Sequence, residues 1–137
     1  MEMVEHTRLF VTNILKHTTP QARAMSSIPI DVNRIESRMK WLVEDLGPRT
    51  HMSKSGQFAA LGVKDHLEKA GWDVQVIQLS GNIVACRGTG SKVFLAHTDT
   101  VQQSSGAVDN ASGVVALLEL ANVSTAQDIC LAFPVAE

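Results

Sequence analysis

Tyrosine is absent from this chain, and aromatic residues make up only 4% of it: two Trp and four Phe. A core built from such a sequence has to be largely aliphatic. Cysteine is almost absent as well. Cys86 and Cys130 are the only two. Neither stands in a CxxC-type spacing, and each lies in an apolar run. Two buried thiols, packing as small hydrophobes, are favoured over a disulfide or a metal pair. With that reading goes a reducing compartment. Neither sign of charge dominates: the net charge is -2 and the isoelectric point about 6.2. The absence of a basic run leaves no footprint for nucleic acid or a lipid surface, so neither is an expected partner. No apolar run approaches the length of about 20 residues that a membrane span requires. The stretch at residues 9–15 is too short and too polar for a secretory h-region, and Glu2 and Glu5 spoil the segment before it. The expected location is therefore cytoplasmic.

What remains is ample for folding. The chain has 137 residues, of which 45% are hydrophobic and 19% charged, room for one domain with a real core. Residues 1–19 read as a short amphipathic helix with Val4, Phe10, Val11, Ile14 and Leu15 on one side, ended before Pro20, and residues 20–30 as a polar linker. Asp31 is placed to cap a helix in which Val32, Ile35, Met39, Leu42, Val43 and Leu46 follow the helical period, and Gly47-Pro48 stops it. Ser55 is placed to cap a further helix running to Ala70, with Phe58, Leu61 and Leu67 facing inward.

From Trp72 the pattern turns to strands: residues 73–79, 82–87 and 92–96, with Gly88-Thr89-Gly90 suggesting that the last two form a hairpin. Val93-Phe94-Leu95-Ala96 is continuously apolar, as expected of a strand buried on both faces. A helix over residues 110–123 and a strand over 129–136 complete the set. Helices before, between and after strands predict an α/β fold with a mixed β-sheet flanked by helices.

The chemistry-bearing residues gather at the end of the apolar strand. His97 follows it directly, where ligands bind in open α/β sheets. Asp99 is two residues on and faces the same side if the chain stays extended. That spacing suits a metal-binding imidazole held by a carboxylate. Asp109 follows a glycine-bearing loop and precedes Asn110-Ala111-Ser112-Gly113 and an apolar helix. Its carboxylate suits the helix start and, beside an imidazole, suits Zn²⁺, where a carboxylate can bridge two ions. Taken singly, His97 is a structural residue, Asp99 a turn residue and Asp109 an N-cap. Gly113 is placed to let this helix pack closely on the sheet. The weight lies in the ordered combination.

That combination resembles the co-catalytic zinc aminopeptidases, relatives of glutamate carboxypeptidase and the glutaminyl cyclases. The matching segments are residues 93–101, 106–121 and 129–137, with Leu46-Gly47-Pro48-Arg49 and Gly71-Trp72-Asp73-Val74 as similar lead-ins. The resemblance covers roughly residues 31–137, so the expected organisation is an N-terminal helix and linker (1–30) followed by the N-terminal portion of a zinc-peptidase catalytic domain (31–137) of the phosphorylase/hydrolase-like kind. It implies two zinc ions in the complete site. His97 would bind one, Asp109 would bridge both, Asp99 would support His97, and Glu137 would be the general base that activates the attacking water. Val108 stands where relatives often have a second acidic residue, and Pro134 is unusual near the end of a strand.

The family's second glutamate and its later Asp and His ligands are not among these 137 residues. His6, His17, His51 and His66 do not match its ligand positions. The expectation is therefore a zinc-dependent aminopeptidase acting on a peptide substrate, present as its N-terminal part. Further sequence or a complementary polypeptide chain would supply the remaining ligands, and the isolated chain is expected to be inactive. A glutaminyl-cyclase-like zinc acyltransferase and a non-catalytic interaction module on the same scaffold are the alternatives. The aminoacylase-like peptidases also use His-x-Asp but follow it with a different segment.

Overall fold

A computed structural model describes residues 28–77 and 81–135, so the N-terminal helix expected over residues 1–19 lies outside the described residues. By its internal contacts the chain divides between Ile30 and Asp31, and every described helix and strand belongs to the unit that starts at Asp31.

Asp31 caps helix α1 (Val32–Lys40), its carboxylate accepting the Arg34 backbone N–H at 3.2 Å. The helix widens through Trp41–Asp45 before Gly47, at φ +64°, turns the chain. Helix α2 (Lys54–Lys69) is capped by Ser53, whose Oγ accepts the Gly56 N–H at 3.0 Å, two residues earlier than the sequence suggested. Its buried face is Ala59, Val63 and Leu67, whereas Phe58 and Leu61 are exposed. The sequence pattern favoured the largest apolar side chains, but the small residues are the ones that let the helix approach its neighbours closely.

The sheet contains β1 (Asp73–Ile77), β2 (Asn82–Arg87), β3 (Lys92–Leu95) and β4 (Ile129–Phe133), in the order β1-β2-β4-β3. The mixed sheet expected of an α/β fold is thus present. Its pairing differs from the expectation. The hairpin is β1–β2, antiparallel, with Asp73 opposite Cys86. β3 does not pair with β2. It runs parallel to β4, with Phe94 opposite Leu131, and β4 inserts antiparallel to β2. A parallel neighbour needs a crossover, and helix α3 (Ser112–Val123) supplies it. β3 is consequently an edge strand among the described residues, not one buried on both faces: Val93, Phe94 and Leu95 are 62%, 45% and 66% exposed.

The core joins Leu42 of the first helical segment, the α2 face, Val114, Val115 and Leu118 of α3, and Ile83, Ala85, Leu131 and Phe133 of the sheet. Trp72 and Phe133 are its only buried aromatic members among the described residues, so the core is aliphatic as the composition required. The Trp72 indole N–H donates to the Ala121 carbonyl at 2.9 Å, and the Arg87 guanidinium stacks over its ring.

The register puts Cys86 directly opposite Cys130, and the two form a disulfide, not the free thiols favoured from the sequence. The cause is non-local, since the residues are 44 apart and only the β2–β4 pairing brings them together. The expectation of a reducing compartment, which rested on free thiols, loses that support. No helix of the described residues is long and apolar enough to cross a membrane.

Candidate metal centre

The chain remains extended past β3. The Ala96 N–H donates to Ala132 O and the Thr98 N–H to Pro134 O, at 3.0 and 2.9 Å. Pro134 thus sits just beyond β4, where its carbonyl is used and its missing N–H disturbs no ladder. Because Ala96 and Thr98 bond towards β4, the intervening His97 and the following Asp99 point to a common side. His97 Nδ1 lies 3.2 Å from the Asp99 carbonyl and 3.4 Å from its Oδ1. A proton on Nδ1 held there leaves the Nε2 lone pair facing outward.

Nε2 meets Asp109 Oδ1 at 3.0 Å. Asp109 reaches that position from the loop at Ala107–Ala111, where it and Asn110 depart from helical dihedrals and are joined by a cis peptide bond. The helix-capping role open to Asp109 falls instead to its neighbour: Asn110 Oδ1 accepts the Gly113 N–H at 3.1 Å. A Cβ on Gly113 would strike that Asn110 side chain. Gly113 therefore makes room for the cap, not for close helix–sheet packing as the sequence suggested. The Asp109 side chain is 86% exposed, His97 half-buried and Asp99 buried.

Zinc at its usual 2.0–2.2 Å from nitrogen and oxygen in a tetrahedron has donors about 3.3 Å apart. The 3.0 Å separation of Nε2 and Oδ1 is close to that spacing, and both atoms are borderline-hard donors of the kind zinc takes. The pair fits the ion. Among the described residues no group of three or more His, Cys, Asp or Glu converges to hold one. Glu137 lies outside the described residues, and His51 and His66 stand apart from the pair: His51 is exposed, and His66 stacks on Trp41 at 5.4 Å with Nδ1 2.7 Å from Gly62 O.

Two buried ionic residues carry the architecture behind the pair, and sequence reasoning missed both. Arg49 is fully buried. Its guanidinium donates to Leu42 O, Gly47 O and Ser105 O through Nη1 and to Thr98 O through Nε, at 2.6 to 3.0 Å. Burial pushes its pKa below the usual arginine value, with the Asp99 charge opposing. Glu119, on α3, accepts from Arg34 Nε and Nη2, Arg38 Nη1 and the Asp31 N–H. The signal for Glu119 was present, a lone carboxylate inside an apolar helical run with two arginines four apart on another helix. Arg49 offered only its place after Gly47-Pro48. Asp99 also borders a cavity of about 370 Å³ between α2 and the sheet, together with Gln57, Ala60, Ile83 and Thr98.

An imidazole held by a carboxylate at one nitrogen and facing a second carboxylate at the other, at a strand end of a mixed α/β sheet, defines the class: a metallohydrolase-like scaffold. Residues 82–136 match the model for Peptidase family M28, and the resemblance to zinc aminopeptidases and glutaminyl cyclases read from the sequence is borne out over this segment. Among solved structures the chain is similar to a glutaminyl cyclase of Porphyromonas gingivalis, with 25% identity and a TM-score of 0.67 over 79% of this chain and 46% of that one. It is similar to a zinc aminopeptidase of Bacillus subtilis (14%, 0.66, 80% and 62%) and to a leucine aminopeptidase precursor of Bacteroides thetaiotaomicron (23%, 0.61, 80% and 48%). The latter two likenesses show the fold. The chain spans 46% to 62% of the length of these structures. No curated protein matches it.

Proposed function

We propose that this chain is the N-terminal part of a zinc-dependent aminopeptidase, with His97 and Asp109 as metal ligands and Asp99 as the residue that orients His97. The observation that carries the reading is the 3.0 Å approach of His97 Nε2 to Asp109 Oδ1 while Nδ1 faces Asp99. His97 would hold the ion through Nε2, its tautomer set by Asp99. Asp109 contributes an exposed carboxylate able to bridge a second ion. Glu137 is proposed as the base that takes a proton from the attacking water and passes it to the leaving amine. When bound, zinc supplies Lewis acidity towards the scissile carbonyl and lowers the pKa of a coordinated water.

Catalytic zinc normally takes three protein ligands, so the reading requires donors beyond this pair, from further sequence or from a complementary chain. The edge of β3 is where additional strands would join the sheet. A glutaminyl-cyclase-like acyltransferase is the second reading, favoured by the 25% identity to the cyclase of P. gingivalis. Counting metal ions in the complete protein separates the two, because the cyclase-like site uses one.

Calorimetric zinc titration of the chain and of Asp109→Asn, with hydrolysis of aminoacyl anilides followed in parallel, tests the proposal. Expected are binding weaker than about micromolar, its loss in Asp109→Asn, and no turnover. Micromolar binding with turnover would remove the need for further ligands. Zinc binding indifferent to Asp109→Asn would remove the metal assignment.

A further inference from the structure

Arg49 is placed unlike any other cation of the described residues. It is fully buried, yet its contacts are main-chain carbonyls. Thr98 O belongs to the peptide that joins Thr98 to Asp99, one residue after His97. Ser105 O belongs to the loop that leads through Gly106 to Asp109. Leu42 O and Gly47 O belong to the end of the first helical segment. The main chain of Arg49 adds a reciprocal pair with Thr100: its N–H donates to Thr100 Oγ1 at 2.8 Å, and the Thr100 N–H donates to Arg49 O at 3.2 Å. One residue therefore grips both loops that carry the candidate ligands.

Gly106 shows how closely the second loop is held. It adopts φ +62°, and a Cβ there would press on Thr100 Cγ2, approach Asp109 O at 2.6 Å and stand 3.2 Å from Arg49 Nη2. The Ala111 N–H closes the loop by donating to Gly106 O at 2.8 Å.

We propose that Arg49 is a positioning residue that sets the separation of the His97 loop and the Asp109 loop, and through it the Nε2–Oδ1 spacing; the last step rests on the metal reading above. The span runs between two nitrogens of one rigid plane: Nε serves Thr98 O while Nη1 serves Leu42 O, Gly47 O and Ser105 O, and an ammonium, a single nitrogen on a flexible stem, cannot serve both sets at once. Arg49→Lys keeps the charge and loses the span.

The test is amide hydrogen exchange of the metal-free chain, residue by residue, with zinc titrations alongside. In Arg49→Lys, exchange at Thr100, Gly106 and Ala111 is expected to quicken by about tenfold, while Ala85 and Leu131 in the sheet stay within about threefold. Thr100→Val, which removes one acceptor and is milder, is expected to show the same split at smaller size. Equal acceleration in sheet and loops would reduce Arg49 to a general stabiliser, and unchanged loop exchange would remove the proposal outright. Zinc affinity is expected to fall about tenfold in Arg49→Lys, equivalent to about 1.4 kcal/mol. Full retention of affinity would also overturn the proposal. Absence of any zinc response in the wild-type chain, with the exchange split intact, would sink the metal reading and leave the two-loop clamp standing.

Discussion

Glu119 is 4% exposed, and four donors from Asp31, Arg34 and Arg38 converge on its carboxylate. The Arg34 hydrogen bonds hold its pKa below the ordinary glutamate value of 4.5, against the desolvation that opposes them. A depressed carboxylate stabilises the fold above its unfolded value, and that contribution is lost as pH falls through the folded value. Glu119→Gln leaves Arg38, itself buried, without a charged partner. We expect a loss of about 3 kcal/mol at neutral pH. The gap between variant and wild type should close as pH drops below about 4.5, because only the wild type has the Glu119 charge to lose there. Urea unfolding from pH 7 to pH 3 measures both. A gap that is constant with pH would mean that the ion pair contributes nothing.

At the scale of elements, Gly62 in α2 sets a propensity argument against a packing argument. Gly→Ala in an open helix gains about 1 kcal/mol. Here a Cβ would collide with the ring of Trp41, which α2 packs against through the His66 stack. Overpacking costs about 1–3 kcal/mol, so Gly62→Ala should be net destabilising, with a changed tryptophan emission. A gain in melting temperature would show that Trp41 moves away freely. Much of this level was legible beforehand. The Asp31 cap, the Gly47-Pro48 stop and the bounds of β2 depend on neighbours a few residues away, and they stand where the pattern put them. Of the buried face of α2 only Leu67 was legible, since Phe58 and Leu61 are larger apolar residues than the Ala59 and Val63 that the core accepts.

For the whole molecule, the β2–β4 pairing decides most. It places Cys86 against Cys130 and ties β2 to β4 across 44 positions. In the chain-entropy view a loop of that size is worth about 4 kcal/mol. Reduction should therefore lower the urea midpoint substantially, and the native chain should be about two mass units lighter than the reduced one. Identical unfolding with and without dithiothreitol would show that the bond is not formed. The open edge of β3, with Val93 and Leu95 exposed, is the kind of surface that pairs with other chains. Val93→Lys should reduce self-association seen by light scattering without lowering the melting temperature. No change in association would show that this edge does not drive it.

By itself the sequence determined the elements, the aliphatic core and the order of His97, Asp99 and Asp109 along the chain. Each of these rests on local propensity, composition or a contiguous motif. The tertiary structure decided the sheet order, the disulfide and which side chain caps α3. It also decided that Arg49 and Glu119 are buried at all. Those outcomes depend on residues far apart in sequence, joined by strand register and a crossover helix. The reach of Arg49 from Leu42 to Ser105 is such an outcome: a buried guanidinium finds its carbonyls only after the loops that carry them have come together.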